Sequence, residues 1–413
     1  MAMLWFGIRP MLSGGGAPQS SGVGANPSDS GQPSSPETFS PMSWSAALAI
    51  PDYQKCYQGL PPDVQESGVD GIDLVSCSSE GAVDFYLHAV DVSKLQVLWS
   101  TSAYHQVDGT TPDGVVVSAA DGDSYVLDAR TGNVLGHFHS EGVRTSGGML
   151  VTIDGSDPAN HVVCGRKITD VGTCVWTKSG PDLSLGWVFG GGAWVDLGSE
   201  IVDVTTGAPA SFFPQPPPNT TFEYDGPAKD RVVRMTYNGA QGAIQLWNTQ
   251  TGTGVGPVAS LGGIASFPPL IADSELPNYM VFDSDWRTLR AYSWQTGEQQ
   301  WQTTLAPEFD HPLGKIYGNT VLVYSPFIQS PIGVWAVDAG TGEVTGQAPQ
   351  GSLRGVIASV AYLDDGSTIA AVDATTLAPL GSLAYPEPDA LVSVVGDHVV
   401  AVTQSGHYYV LQT

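Results

Sequence analysis

A short element that recurs about every 40 residues constrains this chain more than any other feature. It reads Asp-Ala-Arg-Thr-Gly at 128–132 and Asp-Val-Thr-Thr-Gly at 203–207. Counted by its Asp position, the element fills nine slots over 321 residues: Asp91, Asp128, Ile168, Asp203, Asn248, Ser293, Asp338, Asp373 and Gln412. A unit of this length cannot bury its apolar face alone, so neighbouring units have to stack against each other.

The recurring element has the chemistry of a β-hairpin turn. Its Asp side chain can accept hydrogen bonds from the turn backbone, and its Gly allows the positive φ that such a turn requires. Eight residues beyond the slot, three copies carry a tryptophan: Trp99, Trp176 and Trp301. A large flat side chain there suits packing between neighbouring sheets. No segment shows a sustained 3.6-residue apolar period, so we predict an all-β fold.

The two ends of the repeat region complement each other. Residues 407–412 match the third strand of a unit, but no outer strand follows them. Residues 42–45, Met-Ser-Trp-Ser, resemble Val-Leu-Trp-Ser at 97–100. We therefore predict that the N-terminal strand completes the last unit and closes a ring, which removes the exposed strand edges.

The pattern Asp-Ala-x-Thr-Gly-x-x-x-Trp resembles the repeat of the quinoprotein-type β-propellers, the pyrroloquinoline-quinone-like family, over residues 42–413. This resemblance implies a closed β-propeller of four-stranded blades, eight of them in most of the family. We therefore expect eight blades, although the slot count permits nine. If the number is eight, we expect the extra slot to be an elaborated hairpin around Ile168, where Cys164 and Cys174 lie.

Two segments precede the predicted propeller. Residues 1–12 are apolar but interrupted by Arg9 and Pro10, and are shorter than a membrane-spanning helix. They are either the remnant of a membrane segment, which would tether the protein, or a disordered start. Residues 13–41 are rich in Ser, Gly and Pro and carry only Asp29 and Glu37 as charges, which predicts a flexible linker.

The four cysteines indicate the compartment. Cys164 and Cys174 flank a predicted tight hairpin, so a disulfide between its strands is geometrically easy, and Cys56 and Cys77 would form a second pair. The alternative is four buried free thiols. Two disulfides would place the protein outside the cytoplasm, in the cell envelope or secreted.

The charge excludes two classes of partner. The chain carries 41 acidic and 15 basic residues, for a net charge of −26. So acidic a surface repels nucleic-acid phosphates and anionic lipid headgroups. We therefore expect no nucleic-acid partner, and we expect a monomer.

The sequence contains no recognisable catalytic set. The nucleophile-elbow, zinc-protease, P-loop and dinucleotide-binding motifs are missing. The resemblance implies either a scaffold without cofactor or a quinone-dependent dehydrogenase of alcohols or sugars, with pyrroloquinoline quinone and calcium. The adjacent cysteines typical of the alcohol dehydrogenases are missing, and no motif places the calcium ligands. We favour the scaffold.

Two further patterns resemble metal sites. Asp121 and Asp123 have the spacing of a calcium loop but lack its remaining ligands, which indicates a turn. His137 and His139 alternate on one strand without a third ligand nearby, which indicates solvated or packed histidines. We predict no metal site.

Three cations are predicted to lie on innermost strands. Aligned by their glycine turns, Arg144, Lys315 and Arg354 fall at similar positions and could present positive charge to an anionic ligand in the central channel. The alternative is salt bridges to neighbouring aspartates. Together these patterns predict an extracytoplasmic binding or scaffold propeller that engages a protein or envelope component without catalysis.

Overall fold

The computed structural model describes most of the repeat region. The described residues are 41–51, 63–66, 71–78, 85–104, 106–111, 114–119, 122–157, 159–210, 213–214, 220–238, 241–262, 270–305, 309, 312–325, 333–348, 350–388 and 390–412. Of residues 63–66, 77–78, 85 and 106 only the backbone is described. The N-terminal segment 1–12, residues 13–40 of the predicted linker, Cys56 and Asp121 lie outside these ranges.

The described residues form nine antiparallel sheets, which we number as blades in chain order. Strands β1 (Ser43–Trp44) and β2 (Leu48–Ala49) come before the first complete sheet. Blade 1 contains β3 (Asp63–Glu66), β4 (Ile72–Ser78), β5 (Phe85–Asp91) and β6 (Gln96–Thr101). Blade 2 contains β7 (Gln106–Thr111), β8 (Gly114–Ser118), β9 (Asp123–Leu127) and β10 (Val134–His139). Blade 3 contains β11 (Gly142–Ser146), β12 (Met149–Asp154), β13 (His161–Lys167) and β14 (Asp170–Gly180).

Blade 4 has three short strands, and the next two blades have four strands each. Blade 4 contains β15 (Val188–Phe189), β16 (Trp194–Asp196) and β17 (Ile201–Asp203). Blade 5 contains β18 (Thr221–Asp225), β19 (Arg231–Tyr237), β20 (Gly242–Asn248) and β21 (Thr253–Gly262). Blade 6 contains β22 (Leu270–Ile271), β23 (Asn278–Phe282), β24 (Thr288–Ser293) and β25 (Gln299–Thr304).

The last three blades include the one that joins the two ends of the sequence. Blade 7 contains β26 (Leu313–Tyr317), β27 (Thr320–Tyr324), β28 (Val334–Asp338) and β29 (Val344–Ala348). Blade 8 contains β30 (Ser352–Ile357), β31 (Val360–Asp364), β32 (Thr368–Asp373) and β33 (Pro379–Ala384). Blade 9 contains β34 (Leu391–Val395), β35 (His398–Val402) and β36 (His407–Gln412), and both β1 and β2 pair with β36.

The blades are arranged around a ring with their first strands innermost. First strands of neighbouring blades contact each other, as in the pairs β7 and β11, β22 and β26, and β30 and β34. The first strand of blade 1, β3, contacts β34 of blade 9. The protein is therefore a closed nine-bladed β-propeller, and the predicted all-β propeller is confirmed. Of the two blade numbers that the prediction allowed, the structure has nine.

The slot at Ile168 belongs to a full blade. Ile168 lies in the turn between β13 and β14, and its backbone N–H donates to the Gly148 carbonyl at 3.0 Å. All nine slots lie at or just after the end of the third strand of a blade. An eight-bladed ring would have required the hairpin around Ile168 to be an insertion. In the structure it is the regular hairpin between the third and fourth strands of blade 3, β13 and β14.

The predicted closure of the ring is confirmed. Ser43 of β1 pairs with Gln412, and Leu48 of β2 pairs with Tyr408. The indole of Trp44 donates to the Ala384 carbonyl at 2.8 Å, so this tryptophan contacts the preceding blade. The repeat tryptophans donate to the following blade, so Trp44 matches them in sequence context but differs in the direction of its contact.

The turn element has the predicted chemistry. In blade 2 the Asp128 carboxylate accepts from the Arg130 N–H at 3.0 Å and from the Thr131 N–H and hydroxyl at 2.7 and 2.8 Å. Gly132 has a φ of 68° and donates its N–H to the Asp128 carbonyl. These bonds hold the pKa of Asp128 below its usual value, chiefly through the Thr131 hydroxyl.

The repeat tryptophans connect each blade to the next. The indoles of Trp99, Trp176 and Trp301 donate to carbonyls of the following turn, at 2.9, 2.8 and 3.0 Å respectively. Each ring lies against the turn glycine of that blade. Blade 5 has Gly256 at the position of the repeat tryptophan. There the turn of blade 6 lies directly against the strand, and a Cβ at Gly256 would be 1.9 Å from the Thr296 carbonyl oxygen.

The hydrophobic core lies between adjacent sheets. Val115 of blade 2 packs with Leu74 and Leu87 of blade 1, all fully buried. Val321 of blade 7 packs in the same way with Met280 of blade 6. There are no helices among the described residues, and hence no apolar helix long enough to cross a bilayer.

Candidate functional site

The three predicted channel cations lie on first strands. Arg144 is in β11, Lys315 in β26 and Arg354 in β30. These strands belong to blades 3, 7 and 8, so Lys315 and Arg354 are in neighbouring blades and Arg144 is apart from them. Their surroundings differ.

Arg354 is paired with a carboxylate, whereas Lys315 is exposed. Arg354 forms a salt bridge with the fully buried Asp364, with Nε and Nη2 at 2.7 and 2.6 Å from Oδ2. The Tyr385 hydroxyl also donates to Asp364, and burial raises the pKa of that phenol above its usual value. Lys315 is exposed. The charge of Arg354 is therefore already balanced within blade 8.

Arg144 is held by carbonyl groups rather than by a carboxylate. Its Nε donates to the Gly186 carbonyl and its Nη1 to the Val143 carbonyl, both at 3.0 Å. No described carboxylate forms a salt bridge with it. Burial lowers the pKa of Arg144, but an arginine stays charged at neutral pH. Of its five N–H groups, three remain for a ligand.

An exposed tryptophan lies beside this guanidinium. The Arg144 guanidinium carbon is 5.6 Å from the centre of the Trp187 ring, within range for a cation–π contact. Trp187 is 45% exposed. The other large apolar side chains with high exposure in the described chain all lie on the outermost strands, such as Val134 on β10 and Val258 on β21. Trp187, next to innermost strand β15, is the exception. We call this pair the Arg144–Trp187 corner.

The corner lies where the repeat is least regular. Blade 4 has strands of two or three residues. In place of a fourth strand, the described residues show an isolated β-bridge between Val202 and Pro209. The backbone of Asp196 pairs with that of Trp187, and burial raises the pKa of the Asp196 carboxyl. Departures from an otherwise regular repeat are expected at functional positions.

A layer of buried polar and aromatic groups continues from the corner into blade 5. Burial raises the pKa of Tyr224 to about 12, and the charges of Arg234 and Asp196 act on the same hydroxyl. The Arg234 guanidinium lies 4.2 Å from the centre of the Trp247 ring. Tyr224 and Trp247 belong to a buried aromatic cluster that also contains Phe189 and Trp194 of blade 4.

A concave region lies on the outer side, between blades 2 and 3. It has a volume of about 320 Å³ and is lined by residues of β10, β12, β13 and the first part of β14. His137, His139, Asp154, Arg166 and Cys174 are among its lining residues. We call it the rim cleft. The described residues contain no group of three His, Cys, Asp or Glu side chains arranged for a metal ion.

One of the two predicted disulfides is present. Cys164 and Cys174 are bonded, with their Cα atoms 5.6 Å apart, and the bond joins β13 to β14. The disulfide predicted between Cys56 and Cys77 falls outside the description, because Cys56 and the side chain of Cys77 are not described. That pairing stays a prediction.

Comparisons with known proteins find solved structures with a similar backbone fold but no family. No protein-family model matches, and no curated protein matches at a significant level. Among solved structures, BamB from Moraxella catarrhalis is 14% identical, with 90% of this chain and 100% of that chain covered and a TM-score of 0.49. A europium-containing methanol dehydrogenase is 11% identical, with 90% and 93% covered and a TM-score of 0.47.

A third solved structure gives the same picture. The quinohemoprotein alcohol dehydrogenase ADHIIG from Pseudomonas putida HK5 is 12% identical, with 90% of this chain and 76% of that chain covered and a TM-score of 0.47. At these values the similarities decide nothing about function. The resemblance to the quinoprotein-type repeat stays an interpretation of the sequence.

The sequence pointed to Arg144 but missed its partner. Trp187 lies outside the tryptophan position of the repeat, but so do Trp194, Trp247, Trp286, Trp294 and Trp335, so the sequence alone could not single it out. The rim cleft was missed because its walls come from two blades, which no spacing within one repeat brings together.

Proposed function

We propose that this protein is an extracytoplasmic binding propeller without catalysis, which engages a protein or envelope component at the Arg144–Trp187 corner. The observation that supports this is a half-buried guanidinium with three N–H groups to spare next to a half-exposed indole. Arg and Trp are the side chains that most often dominate binding energy at protein interfaces.

The corner selects for a partner group that carries negative charge. The guanidinium geometry matches a carboxylate or a phosphate through two parallel hydrogen bonds. The chain as a whole carries a charge of −26, so a negatively charged partner is repelled from most of the surface and is attracted to this guanidinium. The corner therefore determines where a partner binds.

The proposed location outside the cytoplasm is supported by the Cys164–Cys174 disulfide. Such bonds form and persist in oxidising compartments and are rare in the cytosol. The rigid ring of nine blades provides a fixed platform for the corner, which favours binding because little conformational freedom is lost.

Site-specific photocrosslinking tests the proposal. A benzophenone amino acid replaces Trp187 in one variant, and replaces the 61% exposed Val258 on the outer strand of blade 5 in the control. After irradiation of cells of the source organism, we expect one adduct of defined mass at position 187, none at 258, and loss of the adduct on adding Arg144→Gln. No adduct at 187, or the same adduct at both positions, would refute the corner as the binding point.

The dehydrogenase alternative is tested separately. The purified protein is incubated with pyrroloquinoline quinone, Ca²⁺ and a dye acceptor in the presence of alcohols and sugars. We expect no cofactor absorbance and no dye reduction. Dye reduction that depends on the quinone and on an alcohol or sugar would overturn the non-catalytic proposal.

A further inference from the structure

Three buried polar groups of blade 5 have no well-aligned hydrogen-bond partner among the described residues. They are the Arg234 Nε, the Tyr224 hydroxyl and the Trp247 indole nitrogen. Tyr224 and Trp247 are only 8% and 7% exposed, so both side chains are removed from bulk solvent. Buried polar groups without partners are rare, because burial costs them the hydrogen bonds that water provides. Three of them in one layer indicate a ligand.

The three groups lie on the same side of the blade 5 sheet. Tyr224 of β18 and Arg234 of β19 are direct cross-strand partners. The Arg234 guanidinium carbon lies 4.2 Å from the centre of the Trp247 ring on β20. Tyr224 and Trp247 pack in one buried cluster with Phe189 and Trp194, which places this side of the sheet against blade 4. The three polar groups are therefore neighbours in one layer between two blades.

The guanidinium in this layer is not balanced by a carboxylate. Its Nη2 donates to the Gln245 side-chain oxygen at 2.8 Å, and its carbon lies 4.9 Å from the centre of the Phe222 ring. The Asp196 charge acts on the Tyr224 hydroxyl, but no described carboxylate forms a salt bridge with Arg234. Burial lowers the pKa of Arg234, yet an arginine stays charged at neutral pH. A half-buried cation without a counterion is stabilised by binding an anion.

The groups in the layer select a small anion. The Arg234 Nε–H and the indole N–H only donate hydrogen bonds, and the tyrosine hydroxyl can donate as well, so one ligand atom has to accept all three. The burial of Tyr224 and Trp247 favours an ion of a single atom over a phosphate or an organic acid. A singly charged halide also loses less hydration energy on burial than a multiply charged ion does.

We propose that Arg234, Tyr224 and Trp247 bind a chloride ion in the layer between blades 4 and 5. The three donors hold the ion by hydrogen bonds, and its charge balances the guanidinium. The bound ion stabilises the surface against which the short strands of blade 4 pack. The site does not include Arg144 or Trp187, so it can be correct whether or not their corner binds a partner.

Thermal unfolding of the full chain in matched sodium salts tests whether chloride binds. Chloride is varied up to about 200 mM, and gluconate replaces it so that the ionic strength and the screening of the net charge of −26 stay constant. A ligand that binds only the folded state raises the midpoint as its concentration rises. We expect a saturable rise of about 2 °C in chloride. A midpoint that is the same at every ratio of chloride to gluconate would overturn the site.

One variant and two controls localise the binding. Tyr224→Phe removes one hydroxyl and keeps the ring, and we expect it to weaken chloride binding at least about tenfold. Tyr292→Phe in blade 6 is the matched control, because its buried hydroxyl lies beside Arg290, whose charge is balanced by Asp283. Arg144→Gln removes a charge at the corner, and both controls should keep the chloride dependence of the wild type. An unchanged dependence in Tyr224→Phe, or an equal loss in either control, would refute the assignment.

Bromide in crystals of the full chain locates the ion directly. Bromide has the charge of chloride and accepts the same hydrogen bonds, and its anomalous X-ray scattering identifies it. We expect an anomalous peak within hydrogen-bond distance of the Arg234 Nε and the Trp247 Nε1, at a concentration where the unfolding midpoint has reached its plateau. Bromide peaks elsewhere and none at this position would overturn the proposal.

Discussion

The fourth residue after the turn aspartate adopts a positive φ in most blades, whichever side chain it carries. Gly132 and Gly342 have φ values of 68° and 75°, while Leu95 and Leu377 have 51° and 57°. A side chain in this region costs roughly 1 kcal/mol, so the two leucines are strained positions that their blades tolerate. Glycine has a second role where the tryptophan of the preceding blade lies against it, because there is no room for a Cβ.

The two roles of the turn glycine can be separated within blade 7. Gly318→Ala places a Cβ in open space at a φ of +54°, so only backbone strain is added, about 1 kcal/mol. Gly342→Ala places a Cβ 2.5 Å from the Trp301 ring at a φ of +75°, which adds overpacking of about 1–3 kcal/mol. Denaturant unfolding should therefore show a clearly larger loss for Gly342→Ala. Equal losses would mean that the tryptophan contact contributes nothing.

A carboxylate network in blade 9 predicts how stability depends on pH. Glu387 accepts from the Tyr409 hydroxyl at 2.6 Å, from His407 Nδ1 at 2.5 Å and from the Ser405 hydroxyl at 2.8 Å. These bonds, the Tyr409 bond first, lower the pKa of Glu387 to about 2. Because the folded-state pKa is below the unfolded value of about 4.3, this stabilisation is complete above that value and is lost as pH falls toward 2.

Glu387→Gln should remove that dependence. At pH 7 we expect the free energy of unfolding to fall by about 1 kcal/mol, and the difference from the wild type to shrink between about pH 5 and pH 2. The exposed Glu343→Gln makes the same change of charge without a network and should follow the wild type. Urea titrations at several pH values measure both. A constant difference across that range would contradict the assignment to Glu387.

At the level of strands and turns, most of the fold could be predicted because each blade repeats the same local chemistry. Asp128 and Trp99 have contacts that follow from residue type and spacing alone. Blade 4 could not be predicted in this way, because its short strands depend on packing against neighbours and its slot residue Asp203 looks regular. The pairing of Arg144 with Trp187 joins two blades, and no periodicity encodes such contacts.

The hairpin formed by β13 and β14 should depend on its disulfide. The bond closes a loop of ten residues, for which chain entropy predicts a stabilisation of about 2–3 kcal/mol. We expect Cys164→Ala with Cys174→Ala to lower the free energy of unfolding by that amount. Unfolding followed by fluorescence measures it, and a midpoint equal to that of the wild type would show that strand pairing alone holds the hairpin.

The second predicted disulfide can be tested by counting thiols. The wild-type chain, unfolded without reductant, should react with no thiol reagent if Cys56 and Cys77 are paired. The same chain after reduction should release four thiols and serves as the control. Two reactive thiols before reduction would show that Cys164–Cys174 is the single disulfide.

Closure of the ring is the property of the whole molecule on which the rest depends. Blade 9 takes its outer strand from residues more than 350 positions away in sequence, as in the bond from the Val410 N–H to the Ser45 hydroxyl. Next to this seam, the Tyr408 hydroxyl of blade 9 donates to Asp73 of blade 1 at 2.8 Å. Without the N-terminal strands, β36 would present an unpaired edge, which invites pairing with other chains.

Removal of the closing strands should therefore destabilise the entire propeller. A chain that begins at residue 51 loses β1, β2 and the buried Ile50 side chain, so we expect a loss of about 3 kcal/mol or more and association through β36. A chain that begins at residue 41 retains both strands and should unfold like the full chain. Unfolding midpoints and size-exclusion chromatography measure the two effects.

Addition of a peptide of residues 41–50 should restore the monomer by strand addition, whereas the same peptide with Trp44→Ala and Ile50→Asp should not. If the shortened chain stays monomeric with an unchanged midpoint, the contacts between innermost strands hold the ring and the strand seam is dispensable.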